Sequence, residues 1–232
     1  MDALRQQKGA TCPLTTTHDF TPLWQAAAHG NKDGAELFLN KNGVGPDSCD
    51  GYGRALLHLA IEKGYEELVE LLLRMSPDLE SKDLFGRTPL LQAAFHGEAN
   101  IVLKLLNVGA NPNTADNKGL TPLSWAVMNG NYKMVENLYE KGARLESRDH
   151  KGRTALLWAA IHGKVYVVQK LKEMGANLES EDNDGRTALW WAVFLGKVDI
   201  VQKLQEMGAD PGPRDKLCGT PLSYAVEKGT RW

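Results

Sequence analysis

Asp50, Asp83, Asp116, Asp149, Asp182 and Asp215 follow one another at steps of 33 residues. Gly64, Gly97, Gly130, Gly163, Gly196 and Gly229 recur at the same step, and Gly30 stands 34 residues before Gly64, the extra residue falling in the loop LNKNGVGPDS. No other feature restricts the fold as much. A unit of this length is one supersecondary element, too small to bury its own apolar face, so it must stack on its neighbours into a solenoid.

Each unit reads alike. After the Asp comes a polar, Gly-containing stretch such as LFGR or NDGR, which is turn chemistry. A Thr-Pro or Thr-Ala pair follows: Thr88-Pro89, Thr121-Pro122, Thr154-Ala155, Thr187-Ala188, Thr220-Pro221. Threonine accepts a backbone N–H as an N-cap, and proline at the first helical position gives up a donor that has no helical partner, so a short helix starts there. The in-register glycine stops it. A second helix follows, with Ile101, Val102, Leu105 and Leu106 as one apolar stripe in the third unit. It ends at Gly109, matched by Gly142, Gly175 and Gly208, with Ser76 in the glycine's place one unit earlier.

The segments RTPLLQAAFHG, LTPLSWAVMNG, RTALLWAAIHG and RTALWWAVFLG, with the endings GANPNTAD, GARLESRD, GANLESED and GADPGPRD, resemble the ankyrin repeat family, in particular its fungal-type arrays. The resemblance covers roughly residues 17–229 and implies an all-α ankyrin-repeat solenoid. Its units would be helix-turn-helix with β-turn or hairpin fingers. Six full repeats are expected at 17–49, 50–82, 83–115, 116–148, 149–181 and 182–214, with a partial seventh at 215–232, in one domain preceded by a tail or cap extension at 1–16. Departures carry expectations of their own. Ala55-Leu56 in place of Thr-Pro predicts the loss of a cap worth about 1 kcal/mol. Tyr139, Lys172 and Gln205, where the third repeat has Leu106, are expected to emerge on the convex face with their stems over apolar neighbours. Cys218 replaces the turn glycine of the last unit. The chain stops at KGTRW, so either Tyr224, Val226 and Trp232 fold over as a cap or a longer array continues.

Composition excludes several functions. A formal charge of −2 on 232 residues gives no electrostatic reason for nucleic acid or an anionic membrane as partner. Cys12, Cys49 and Cys218, odd in number and far apart, offer neither a disulfide framework nor a metal-ligand pair, which suits a reducing cytoplasmic or nuclear setting. No apolar leader and no run of about 18 apolar residues occurs. HExxH, GxSxG, a Walker loop and GxGxxG are all missing, so no catalysis, cofactor, metal or small-molecule substrate is expected.

Candidate contact residues come from the variable register positions. Phe95, Met128, Ile161, Phe194 and Leu195 precede the helix-ending glycines, positions that the resemblance turns toward the family's concave groove. Apolar side chains there predict an exposed strip that marks an interaction site, rimmed by the polar Glu62-Lys63 and Glu227-Lys228. His96, Asn129 and His162 complete the row; His29 shares the histidines' register, where polar contact or helix-end roles are expected. Arg54, Arg87, Arg153 and Arg186 sit just before the cap position, with Phe85 at a fingertip. They are expected either to pair with carboxylates of LESKD, LESRD and LESED or to meet an acidic peptide through the guanidinium fork. His58 matches the histidine of the family's T-P-L-H, which the resemblance assigns to holding the turn by hydrogen bonds. Trp125, Trp158, Trp191 and Tyr224 step by 33, with Trp24 and Trp190 one position earlier; they either fill the space between repeats or expose an edge as hot spots.

The function expected is a non-catalytic scaffold or adaptor that binds a partner protein through the finger and first-helix groove, as a monomer or with self-association through its C-terminal face. The alternatives are an ankyrin segment of a larger signalling or sensor protein, or an accessory protein beside a (secondary-)metabolic enzyme.

Overall fold

In the computed structural model of the chain, residues 21–41, 45–212, 215–217 and 219–227 are described. The expectations placed on residues 1–16, Cys12, Cys218, Lys228, Gly229 and Trp232 lie outside them. The chain divides into two compact units, Met1–Asn117 and Lys118–Trp232.

The first unit holds α1 (Thr21–Ala28), α2 (Lys32–Lys41), α3 (Leu56–Glu62), α4 (Glu66–Arg74), α5 (Pro89–His96) and α6 (Ala99–Asn107). The second holds α7 (Pro122–Asn129), α8 (Tyr132–Glu140), α9 (Ala155–Ile161), α10 (Val165–Glu173), α11 (Ala188–Phe194), α12 (Val198–Glu206) and α13 (Pro221–Glu227). In each unit the two helices of a repeat pack together and first helices pack on first helices: α1 on α3 and α3 on α5, then α7 on α9, α9 on α11 and α11 on α13. Among the described residues only an isolated bridge, Cys49 to Ala55, pairs extended backbone.

The caps form largely where the sequence puts them. Thr88, Thr121 and Thr187 have extended backbone and accept the N–H of Leu91, Ser124 and Trp190. Thr154 has the same backbone but makes no cap bond, and its buried hydroxyl finds no partner. Ala55, as its sequence predicts, caps nothing with its side chain; its own N–H goes to Nδ1 of His58 at 3.2 Å.

The paired alanines Ala93-Ala94 and Ala159-Ala160, with Ala126, are wholly buried, which lets neighbouring first helices approach closely. The second helices turn one stripe inward: Ile101, Val102, Leu105 and Leu106 in α6, and Met134, Val135 and Leu138 in α8. Tyr139, Lys172 and Gln205 emerge to the exterior as expected.

Gly109, Gly142, Gly175 and Gly208 end the second helices with φ of 98°, 89°, 96° and 83°, and a Cβ at any of them would meet nothing within 4 Å. Glycine is therefore wanted there for its backbone alone. Ser76 takes the same left-handed turn with φ of 53° and bears the strain of a side chain.

Candidate functional site

Every described repeat turn is built around its first aspartate. Oδ1 of Asp83 accepts the backbone N–H of Phe85 and Arg87, at 2.9 and 2.8 Å. Asp50, Asp149, Asp182 and Asp215 repeat the pattern two and four residues on. An Asx turn of this kind folds the finger locally.

The second carboxylate oxygen holds the arginine. Nε and Nη2 of Arg153 lie 2.9 Å from Asp149 Oδ2, and Arg87 and Arg54 treat Asp83 and Asp50 the same way. The ion-pair expectation holds, but the partner is each turn's own aspartate rather than the glutamates of LESKD and LESRD. Those glutamates staple one repeat's ending to the next. Glu80 accepts from Asn111 N and Thr114 Oγ1, and Glu146 from Asn177 N and Ser180 Oγ. A carboxylate three residues before the Asp is too near the finger's base to serve the guanidinium while its neighbours' N–H groups need an acceptor.

Held in this way, the arginines lie on aromatic rings. The Arg153 guanidinium sits 3.9 Å from the Trp158 centroid, and Arg87 lies between Phe85 and Phe95 at 4.7 and 5.2 Å. The sixth repeat differs. Trp191 Nε1 donates to Asp182 Oδ2 at 2.9 Å, and Arg186 turns to Asp184 and to the rings of Trp190 and Trp191. Tyr224 then serves Asp215 from the position that Trp191 occupies one repeat earlier.

Trp158 and Trp191 are thus half-buried and fixed by charge, Trp125 is half-buried, and Trp190 is buried and stacked on Phe194 at 4.9 Å. Both expectations for these rings are met in part: they pack inside and leave an edge outside.

Neighbouring fingers are joined by main-chain bonds. In the first unit Leu84 N donates to Tyr52 O and Asn117 N to Phe85 O; in the second, His150 N donates to Lys118 O and Asn183 N to Lys151 O. A Cβ on Gly86 or Gly152 would come within 2.3 Å of the next finger's asparagine, so these tips must be glycine.

The candidate contact residues fall as follows. In the first unit Phe85 and Phe95 are 63% and 37% exposed, and His96 is exposed with its ring edge-on to Phe95. In the second unit Leu195 is 40% exposed, Asn129 and His162 are exposed, and Met128, Ile161 and Phe194 are half-buried. The apolar side chains are therefore less uniformly open than the strip that the sequence suggests, because the first helix turns the Met128, Ile161 and Phe194 position partly against its neighbours. Glu62 is bound to Arg54 rather than standing free as a rim.

Burial is the first cause holding the His58, His96 and His162 imidazoles below their ordinary pKa. His58 holds its turn as the resemblance implies, accepting from Ala55 N and donating from Nε2 to Arg87 O at 3.0 Å.

Other features escaped the sequence reading. Cys49 is disulfide-bonded, contrary to the expectation from cysteine spacing, which measures distance along the chain and not in space; no other cysteine is among the described residues. Tyr132 and Tyr166 are exposed and meet edge to face at 5.3 Å. They stand 34 residues apart, and a search at steps of 33 passes over them. Among the described residues no group of His, Cys, Asp and Glu is placed to hold a metal, and no helix is long and apolar enough to cross a membrane.

The comparisons agree with this architecture. A family profile described as ankyrin repeats (three copies) matches residues 2–83, 57–149 and 145–215. The ankyrin repeat domain of Bcl-3, described as a unique member of the IkappaB protein family, is similar with a TM-score of 0.80 and 28% identity over 88% of this chain and 93% of that one. The human ASB11 ankyrin repeat domain is similar with a TM-score of 0.78 and 26% identity over 88% of this chain and 91% of that one. No curated protein sequence matches. Turn, cap, glycine stop and stacked helix pair, repeated at one period and matched along most of the chain, make it a member of the ankyrin repeat family.

Proposed function

We propose that the chain is a non-catalytic scaffold that binds a partner protein on the face made by its fingers and first helices. The observation that carries this reading is the locking of that face before any partner arrives. Each finger is closed by its own aspartate, its arginine is clamped on an aromatic ring, and adjacent fingers share main-chain bonds. A surface ordered in advance loses little conformational freedom on association, which leaves more of the contact energy for affinity. The exposed Phe85 and Phe95 of the first unit, and Ile161, Phe194 and Leu195 of the second, supply apolar area beside polar His96, Asn129 and His162. Arg87, Arg153 and Arg186 contribute through the rings that they hold in place.

The test is capture of partners from a native extract by the intact chain, by Phe95→Asp, and by the double variant Ile161→Asp/Leu195→Asp, with circular dichroism to show that each variant folds. Loss of the same partner from a folded variant supports the reading and says which unit binds. Partners retained by both variants overturn it.

A further inference from the structure

The second unit has another surface, at the loops joining first to second helices. Repeats five and six both carry the run Gly-Lys-Val there: Gly163-Lys164-Val165 and Gly196-Lys197-Val198. Each lysine lies back across the glycine of the preceding repeat. A Cβ on Gly130 would meet the Lys164 stem at 3.0 Å, and one on Gly163 would meet that of Lys197 at 3.6 Å. The two ammonium groups therefore stand in a row along the loops.

Their isolation is unusual for this chain. Lys133, Lys170 and Lys203 on the second helices all pair with glutamates. Lys164 and Lys197 have no carboxylate within 4 Å among the described residues. They also occupy the N-caps of α10 and α12 without a side-chain cap bond, where a positive charge opposes the helix dipole. Nothing in the fold accounts for two cations in that place.

Between the loops lies a cleft of about 400 Å³ lined by His162, Val165, Lys197, Val198, Asp199 and Ile200. Burial and then the charges of Lys164, Lys197 and Arg153 hold His162 below its ordinary pKa, so every charge acting on this ring is positive. Asp199 is the one carboxylate of the lining and leaves the row net positive. Beside the loops, Val198 is 45% exposed, and Tyr132 and Tyr166 are 46% and 61% exposed as an edge-to-face pair.

We infer that this cleft docks an acidic, extended segment of a protein partner, its carboxylates on Lys164 and Lys197 and one apolar or aromatic side chain against Val198 and Tyr166. Charge complementarity selects the acidic segment, and the exposed valine and tyrosines select a peptide over a bare anion. The inference rests on the protein-binding reading above and adds a second surface to it.

The probe is a fluorescein-labelled peptide of alternating Asp and Glu around one Trp, read by anisotropy at low salt. Its Asn/Gln counterpart and a labelled single-stranded oligonucleotide serve as comparisons. The intact chain is expected to bind the acidic peptide, with binding weakened by added salt. Lys164→Glu/Lys197→Glu is expected to weaken it at least about tenfold, two exposed ion pairs being replaced by repulsion. Lys164→Gln/Lys197→Gln is the milder variant should charge reversal disturb folding. Phe95→Asp and Ile161→Asp/Leu195→Asp are to bind the peptide as the intact chain does, which separates this surface from the finger face. No binding of the acidic peptide, equal binding by folded lysine variants, or tighter binding of the oligonucleotide would each overturn the inference.

Discussion

His58→Leu tests the hydrogen-bond logic of the first unit, and acid tests it a second way. The imidazole is fully buried, accepts the N–H of Ala55 at the start of α3, and donates to the carbonyl of Arg87 in the next repeat's finger. Both bonds require the neutral ring with its proton on Nε2. Leucine conserves much of the volume but leaves a buried donor and a buried acceptor, each costing roughly 1–3 kcal/mol; some recovered apolar burial brings the expected loss to about 2–4 kcal/mol. The pH effect has a definite sign. Burial, as the largest cause, holds the folded pKa below the ordinary 6.5, so the unfolded chain takes up the proton first as pH falls. Stability is thus present above pH 6.5 and is lost below it, at no more than about 1.4 kcal/mol per pH unit for one proton. Urea unfolding followed by far-ultraviolet circular dichroism at neutral pH and at pH near 5 measures both. His58→Leu is expected to start less stable and to lose less on acidification, with the remaining slope due to His96, His162 and the carboxylates. An unchanged acid slope in the folded variant would refute the assignment of that proton to His58. A neutral-pH loss below about 0.5 kcal/mol would refute the claim that the two backbone groups depend on this ring.

Ser76→Gly should stabilise the chain by about 0.5–1 kcal/mol by removing a side chain from a left-handed turn, and Gly175→Ser should lose a similar amount; urea midpoints check both. Arg153→Ala leaves Asp149 Oδ2 without its guanidinium and should cost about 2–3 kcal/mol, with a change in Trp158 fluorescence. Arg186→Ala should cost less than about 1 kcal/mol, since Trp191 already serves Asp182; equal losses in thermal unfolding would show that the indole does not substitute for the guanidinium.

The period of 33, the threonine caps and the glycine stops were enough to place nearly every helix of the described residues, because each acts within a few residues of itself. An N-cap reaches its own first turn, and a left-handed glycine ends its own helix whatever lies beyond. The family, the buried alanines and the role of His58 were legible for the same reason, each being carried by a motif that recurs in register. Which carboxylate held each arginine was not legible. Aspartate and glutamate stand three residues apart in LESKD and LESRD, and only the folded finger shows that Asp83 and Asp149 face the guanidinium while Glu80 and Glu146 face the next repeat. Nor could the sequence say how far Met128, Ile161 and Phe194 open to solvent. Exposure depends on how one helix leans on another, a relation between residues 33 apart in sequence and adjacent in space. The Tyr132–Tyr166 pair and the unpaired lysines at 164 and 197 belong to that second class. Local chemistry wrote the repeat, and tertiary packing alone decided which of its side chains are spent inside the stack and which are left to meet a partner.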